Sequence, residues 1–514
     1  MLSKLRGGSV FGVDAMIIAI EVNILKGTNF HVVGLPDSAI KESQYRIESS
    51  IKNNGYDFPR QKVVVNLAPA DRKKEGSAFD LPIALGILST KDEISAHSLE
   101  GYVIMGELSL DGTVKPINGA LPMAIEARKK GLRGMILPAE NAREAAIVDD
   151  IEVFGVEHLA QAVNFLKGNE DIQPTVVDTR NEFFDNMENQ ELDFSDVKGQ
   201  ENIKRAFEIA AAGGHNVIMV GSPGSGKTML AKRLPTILPP LTLHEALETT
   251  KIHSVAGKLS SKAALVSQKP FRAPHHTISD VALVGGGGFP QPGEISLAHN
   301  GVLFLDELPE FKRTVLEVLR QPLEERRVSI ARARFSIDYP ANFMLISSMN
   351  PCPCGYYNHP DKECVCGAGV VQKYLNRISG PLMDRIDLHV EVVPVPFEEL
   401  SAERSSEGSK DIRERVQQAR EVQKERYQQI EKPILYNAEM GMKQVKEYCQ
   451  INQAGNNLLK TAMDKLNLSA RAYDRILKVS RTIADLDGKE AIDTEHIAEA
   501  IHYRSLDRED WAGS

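Results

Sequence analysis

The chain has 514 residues, of which 42% are hydrophobic and 25% are charged, and its formal net charge at pH 7 is −9. These values are ordinary for a soluble globular protein of several domains, and they argue against a generally basic nucleic-acid coat while leaving room for a local basic channel. No apolar run is long enough to cross a bilayer, and the first residues lack the apolar core of a signal peptide, so we expect a cytoplasmic protein without a membrane partner.

Four regions follow one another along the chain. Residues 1–170 alternate β-like runs such as KVVVNLAP with helical stretches such as AIKESQYRIESSIKNNG, which predicts a mixed α/β domain. Residues 171–195 are acidic and weakly periodic, and they predict a linker. Residues 196–395 predict a second α/β domain, and residues 396–514, where β-like runs stop, predict an all-α region.

The second α/β region carries the stretch NVIMVGSPGSGKTML at 216–230, in which a β-like run enters a glycine-rich turn and leaves as a helix. That context and the pattern G-x-x-x-x-G-K-T predict a P-loop, whose backbone N–H groups surround the phosphates of ATP. Lys227 would reach the β- and γ-phosphates, and Thr228 would ligate Mg²⁺. The predicted nucleotide-binding residues of the loop are Gly221, Ser222, Pro223, Gly224, Ser225, Gly226, Lys227 and Thr228.

Two carboxylates follow the next buried strand, in GVLFLDELPE at 301–310. Asp306 would hold Mg²⁺ through water, and Glu307 would act as the general base that polarises the attacking water. A later apolar run, NFMLISSMN, ends at Asn350, which could hold the water near the γ-phosphate if its strand lies beside that of Asp306. Together with the P-loop, these residues predict nucleotide hydrolysis.

The segment LNRISGPLMDRIDLHVEV carries two arginines before another strand-like run. Arg385 is the candidate for an arginine finger, which stabilises charge that develops on a neighbouring subunit's nucleotide. Arg377 competes for the same role.

Four of the five cysteines lie in SSMNPCPCGYYNHPDKECVCG, directly after Asn350. Thiolates of Cys352, Cys354, Cys364 and Cys366 could hold a structural Zn²⁺ in a closed tetrahedral site. The C-x-C spacing is tighter than that of most zinc fingers, so free thiols remain an alternative, and disulfides rank third in a reducing cytoplasm. His359 is a spare ligand.

These motifs together resemble an AAA+ ATPase, and two excursions, FRAPHHTISDVALVGGGGFPQPGEISLAHNG and RRVSIARARFSID, resemble the helix-2 insert and pre-sensor hairpin of the magnesium chelatase and MCM clade. From end to end the chain is similar to the ComM/YifB family. That resemblance implies a hexameric, ATP-driven DNA motor that promotes branch migration in homologous recombination and natural transformation. It also implies that Arg471 acts as a second sensor, in cis or in trans, with Arg475 as the less favoured candidate.

The amino-terminal region resembles the Lon-protease fold (ribosomal S5-like) in DRKKEGSAFDLPIALGIL and the segment after it. Ser77 takes the place of the Lon catalytic serine, but Leu121 takes that of the lysine, and a serine without a neighbouring amine is a poor nucleophile. Lys115 lies a few residues away. We therefore expect a non-proteolytic domain that scaffolds the hexamer and offers a surface to DNA.

Candidate DNA contacts are few. Arg332 and Arg334 alternate on one face of RRVSIARARFSI and could grip phosphates in a hexamer pore, although basic residues on an edge strand also prevent aggregation. The His275–His276 pair and the glycines that follow predict a loop near the pore. The run Arg72–Lys74 reads as a solvated turn.

Three other functions compete with a DNA motor. A magnesium-chelatase-type motor subunit lacks support from the Lon-like region, and an ATP-dependent protease or its regulator is disfavoured by Leu121. A scaffold that only binds nucleotide is disfavoured by the intact pair of Asp306 and Glu307.

Overall fold

The structure is a computed structural model. It describes residues 2–180, 182–183, 192–259, 264–287, 290–332, 335–357, 359, 361–395, 407–430, 434–466 and 468–504. Within these ranges no helix is long and apolar enough to cross a membrane.

The first region is mixed α/β, as predicted, and its strands and helices alternate along the chain. They are β1 (Leu2–Phe11), β2 (Asp14–Leu25), β3 (Phe30–Val33), α1 (Ser38–Asn53), β4 (Lys62–Ala68), α2 (Asp80–Thr90), β5 (Tyr102–Ile104), β6 (Glu107–Leu108), β7 (Val114–Lys115), α3 (Ala120–Lys129), β8 (Gly134–Pro138), α4 (Ala139–Ala145), β9 (Glu152–Val156) and α5 (Leu159–Lys167).

Seven of these strands form one sheet in the order β3-β4-β2-β1-β5-β8-β9. The pairs β1–β2 and β2–β4 are antiparallel, and the other neighbours are parallel. Every residue of α2 is buried, because the nearly uniform apolar sequence DLPIALGILST packs against β1 and β2. The core of this region lies on both faces of the sheet, against α2 on one face and against α3 and α4 on the other.

The second region is built on buried strands and the helices that connect them. Its elements are α6 (Glu201–Gly213), β10 (Val217–Gly221), α7 (Lys227–Ile237), α8 (Leu243–Val255), β11 (Phe271–Arg272), α9 (Asp280–Val284), β12 (Gly285–Gly286), β13 (Gln291–Pro292), α10 (Glu294–Leu297), β14 (Val302–Leu305), α11 (Arg313–Glu317), α12 (Arg320–Glu325), β15 (Arg327–Arg332), β16 (Phe335–Pro340), β17 (Met344–Met349), α13 (Ala368–Leu375), α14 (Gly380–Met383) and β18 (Leu388–Val392).

Five strands of this region form a parallel sheet in the order β11-β14-β17-β10-β18. β10, β14 and β17 are buried along their whole length, which explains why their sequences are continuous apolar runs rather than alternating ones. In such a sheet the carboxyl ends of all strands meet at one edge, where ligands bind. β12–β13 and β15–β16 are separate antiparallel hairpins.

The last region is helical, as predicted. α15 packs against α6 and α7, so the helices share one hydrophobic core with the parallel sheet. Its helices are α15 (Ser409–Tyr427), α16 (Met442–Tyr448), α17 (Gln453–Leu466), α18 (Ala470–Leu486) and α19 (Thr494–His502).

The end of the predicted linker 171–195 is packed rather than solvated. Phe194 is fully buried and meets Phe207 edge to face, with ring centroids 6.3 Å apart. The Asp193 carboxylate accepts the backbone N–H of Ser409, and the N–H of Phe194 donates to the Ser409 hydroxyl. Although this segment is acidic in composition, its buried residue Phe194 connects the parallel-sheet region to α15.

Candidate nucleotide site

A glycine-rich loop joins β10 to α7 at the carboxyl edge of the parallel sheet. Gly224 and Gly226 adopt φ values of +80° and +89°, which side chains with a Cβ rarely accept. The hydroxyls of Ser222 and Ser225 are buried and have no hydrogen-bond partner among the described residues. Buried donors without a partner fit a ligand rich in oxygen, such as a phosphate chain.

Lys227 is the first residue of α7, and its ammonium group points back into this loop. It donates to the carbonyl oxygens of Gly221 at 2.7 Å and Ser222 at 2.9 Å. Burial lowers the pKa of Lys227, and the carboxylates of Asp306 and Glu307 oppose that shift. The ammonium group of Lys227 thus donates to neutral carbonyl oxygens. Charged phosphate oxygens in the same place would accept stronger hydrogen bonds.

Asp306 and Glu307 follow the last residue of β14, as predicted. The Thr228 hydroxyl donates to Asp306 Oδ2 at 2.7 Å, and the Ser348 hydroxyl donates to Asp306 Oδ1. A hydroxyl oxygen and a carboxylate in contact are hard ligands of the kind that Mg²⁺ prefers, so the residues present fit that ion. Ser348 was not among the predicted residues.

Asn350 follows β17, which lies between β14 and β10 in the sheet. Its Oδ1 atom is 3.4 Å from Lys227 Nζ. The structure therefore brings Lys227, Thr228, Asp306, Glu307 and Asn350 together at one edge, although their sequence positions span more than 120 residues.

His276 also reaches this edge, because β11 pairs with β14 and the chain leaves β11 beside Glu307. The distance from His276 Nδ1 to Glu307 Oε2 is 3.4 Å. The sequence placed the histidine pair near a pore, so its contact with the carboxylate is new.

Arg385 lies at the opposite edge of the sheet. It precedes β18, and its carbonyl oxygen accepts a hydrogen bond from the Asn216 side chain at the amino end of β10. Its guanidinium is buried, pairs with Glu324 and donates to the carbonyl of Pro381. Since β10 is five residues long, about 13 Å of strand separates this edge from the glycine-rich loop.

Arg471 lies at the same edge as Arg385. It is the second residue of α18, and its Nη1 atom is 2.7 Å from Asp384 Oδ2. Arg475 pairs with Asp387 at 3.0 Å, one turn further along the helix. Both arginines therefore lie away from Lys227 and the glycine-rich loop of their own chain.

Arg377, the competitor of Arg385, lies near the carboxyl edge of the sheet. Its Nη1 atom is 3.0 Å from Glu310 Oε1 and 3.3 Å from the Pro309 carbonyl oxygen, in the turn that follows Glu307.

The four clustered cysteines converge on one point. Their sulfur atoms all lie within 4.8 Å of one another, and Cys352 Sγ is 3.3 Å from Cys354 Sγ and 3.6 Å from Cys364 Sγ. Four thiolates around Zn²⁺ at about 2.3 Å would be about 3.8 Å apart, so the set fits that ion. Cys366 completes the group. His359 does not join it, and its Nδ1 atom accepts the N–H of Asp361.

The loop that carries the four cysteines (the cysteine loop) directly touches the glycine-rich loop between β10 and α7 (the phosphate-binding loop). A Cβ built on Gly355 would lie 2.5 Å from Pro223 Cδ and 2.7 Å from Pro223 Cγ, so only a glycine leaves room for the proline ring. The two loops form one packed unit.

In the amino-terminal region, Ser77 donates to the Glu107 carboxylate. Leu121 is fully buried, and Lys115 is exposed at the end of β7. The side-chain contact of Ser77 is therefore with an acid rather than with an amine.

The basic residues that were predicted as DNA contacts or as a solvated turn differ in where they lie. Arg332 closes the β15–β16 ladder opposite Phe335, and Arg334 lies outside the described residues. Lys74 is not solvated as expected, because it is fully buried and donates to the carbonyl of Arg72 at 2.8 Å.

Comparisons with known proteins agree with this geometry. Three family models match: "Subunit ChlI of Mg-chelatase" over residues 20–141, "Magnesium chelatase, subunit ChlI" over 193–400, and "Magnesium chelatase, subunit ChlI C-terminal" over 406–504. These matches define a magnesium chelatase-like AAA+ protein.

Relatives that match nearly the whole chain narrow this class. Competence protein ComM of Haemophilus influenzae is 44% identical over 501 residues, which is 97% of this chain and 96% of that protein. The protein YifB of Salmonella typhimurium is 42% identical (97% and 96% coverage), and YifB of Escherichia coli is 41% identical (99% and 98%). The chain belongs to the ComM/YifB family of magnesium chelatase-like proteins.

Proposed function

We propose that this protein is an ATP-driven, homohexameric DNA motor that promotes branch migration during homologous recombination and natural transformation. The observation that carries the proposal is the convergence of the glycine-rich loop, the Thr228–Asp306 pair and Glu307 at one edge of a parallel sheet. Its similarity to a protein named for competence favours DNA as the partner.

The roles of the side chains follow from their positions. Lys227 would bind the β- and γ-phosphates of ATP, and Thr228 and Asp306 would hold Mg²⁺, which neutralises phosphate charge when bound. Glu307 would accept the proton of the attacking water, since its carboxylate is half exposed at the mouth of the site. Asn350 would orient that water.

Arg385 and Arg471 would act on the nucleotide of a neighbouring subunit. Both lie at the amino edge of the sheet, away from their own Lys227, and a head-to-tail ring brings that edge against the next subunit's site. Mixing R385A with K227A subunits tests this arrangement, because each variant supplies what the other lacks. We expect about one quarter of the sites of a random 1:1 ring to become active, whereas an arginine that acts in its own subunit leaves the mixture inactive.

The four cysteines would hold a structural Zn²⁺ that closes the loop between Asn350 and α13. The amino-terminal region would keep the Lon-like fold as a non-proteolytic scaffold of the ring. Cleavage of casein that depends on Ser77 would contradict that role.

The decisive experiment compares the wild type with E307Q in two assays. We expect wild-type ATP hydrolysis to rise with forked or single-stranded DNA, and a labelled Holliday junction to migrate. E307Q should bind ATP but lose both activities by about 100-fold or more, because it cannot accept the proton of the water. E100Q, a charge loss on the surface of the amino-terminal region, is the matched control.

Hydrolysis without any response to DNA or migration of the junction would favour a magnesium-chelatase-type motor. Absence of hydrolysis in the wild type would refute the proposal.

A further inference from the structure

The pair of His276 and Glu307 connects two strands of the parallel sheet at the candidate site. His276 Nδ1 and Glu307 Oε2 are 3.4 Å apart, within ion-pair range and slightly longer than a hydrogen bond. Contacts of this kind between catalytic groups commonly shorten once substrate is bound. Among the described residues, no other side chain forms a hydrogen bond or ion pair with the Glu307 carboxylate.

His276 is held in place from several sides. Its ring packs on that of His275, with centroids 4.1 Å apart, and meets Phe311 edge to face at 6.4 Å. Four residues before His276, Arg272 closes β11 with a two-pronged contact to Glu294, at 2.6 and 2.7 Å. A ring supported in this way can restrain a carboxylate that is itself half exposed.

The backbone explains why Glu307 needs such a restraint. Glu307 has φ +55°, in the left-handed region, and begins a short 3₁₀ turn, so its side chain leaves the sheet on a bend rather than on a strand. Asp306, by contrast, is fixed by Thr228 and Ser348. The carboxylate proposed to move a proton is therefore the less constrained of the two.

We propose that His276 is a positioning residue for Glu307. By donating from Nδ1 to Oε2 it would fix the rotation of the carboxylate and leave Oε1 to face the attacking water. This inference rests on the proposed hydrolysis of ATP at this site.

The test is steady-state hydrolysis of ATP by the full-length wild type, H276A, H276N and H276Q. We expect H276A to lower kcat between about 10-fold and 100-fold, since misplacing a catalytic group by about 1 Å has an effect of that size. KM for ATP should stay within about threefold, because Lys227 and the glycine-rich loop are untouched.

The two amides separate positioning from bulk. The Asn side-chain nitrogen can occupy the place of imidazole Nδ1, whereas that of Gln reaches the place of Nε2, so H276N should recover most of kcat and H276Q should not. H97A is the matched control, because His97 makes the same contact, Nδ1 to Glu100 Oε2 at 3.4 Å, on the surface of the amino-terminal region. It should hydrolyse ATP like the wild type.

Each result decides the matter. If the wild type hydrolyses ATP and E307Q does not, but H276A keeps the wild-type kcat, the inference about His276 is wrong and the proposed function stands. If H276A does not fold, the order of H276N and H276Q decides, and equal kcat values for the two refute the inference. If the wild type does not hydrolyse ATP, both proposals fall.

Discussion

Gly355 joins the cysteine loop to the phosphate-binding loop, and we expect G355A to weaken the binding of ATP. The added Cβ would lie 2.5 Å from Pro223 Cδ, far inside van der Waals contact, and Gly355 has φ +85°. An alanine in the left-handed region costs about 1–2 kcal/mol, and forcing an extra methyl into a packed contact costs about 1–3 kcal/mol. If the Pro223 loop moves to relieve the contact, most of the second term appears as lost affinity.

A loss of about 2 kcal/mol corresponds to a rise of about 30-fold in the Kd for ATP. Titration with a fluorescent ATP analogue measures that change, and thermal unfolding measures whether the fold is kept. Two variants isolate the contact. Gly488 has φ +64° and nothing within 4 Å of a Cβ, so G488A carries the strain alone, and G367A, in the same loop as Gly355, carries neither strain nor contact.

Affinity for ATP in G355A equal to that in G488A would refute the reasoning, because strain alone would then explain the change. Equal affinity in all three variants and the wild type would show that the cysteine loop does not set the position of the phosphate-binding loop.

Two further predictions concern charge and metal. Burial alone would raise the pKa of Asp387, but Arg475 and His215 hold it well below its usual range, so its contribution to stability is present above the unfolded pKa of about 4 and is lost as pH falls through the folded value. D387N should therefore lower the free energy of unfolding by about 3–5 kcal/mol at pH 7 in urea titrations, with a smaller difference from the wild type below pH 4, and a difference independent of pH would contradict this. The wild type should contain about one zinc ion per chain by elemental analysis and C352S/C364S none; a wild type without zinc would end the proposal for Cys352 and Cys364.

The local motifs of the candidate site were predictable because consecutive residues determine them. The strand, turn and helix of 216–230 need no distant partner to be recognised, and Asp306 and Glu307 follow a short apolar run of the kind that forms buried strands. The mixed α/β and helical regions were confirmed for the same reason, since their periodicities are long and regular.

Residues whose roles depend on the order of strands were missed. Ser348 pairs with Asp306 because β17 neighbours β14, with Leu305 opposite Ser347 in the register. His276 meets Glu307 because β11 lies on the other side of β14. A polar residue inside the apolar run NFMLISSMN was a signal for Ser348, but no local pattern could indicate which strand would lie beside it.

Burial was not predictable for single residues whose environment differs from that of their neighbours in the sequence. Lys74 stands in the charged run DRKKEG, yet its ammonium group is buried and satisfied by the carbonyl of Arg72, which no composition average detects. Phe194 is the opposite case, a fully buried aromatic residue within an acidic stretch.

Arg385 and Arg471 both lie at one of the two edges of the parallel sheet. The sequence shows that Arg385 precedes a strand. Only the parallel pairing of β10 with β18 places Arg385 at the edge of the sheet that is remote from Lys227. Arg471, some 86 residues later in the chain, arrives at that same end through its contact with Asp384. Two cations from separate regions therefore stand at one edge, paired with carboxylates, while the groups suited to phosphate stand at the other. In the proposed arrangement a single chain would hold both halves of a nucleotide site without joining them, and a ring of copies would complete each site.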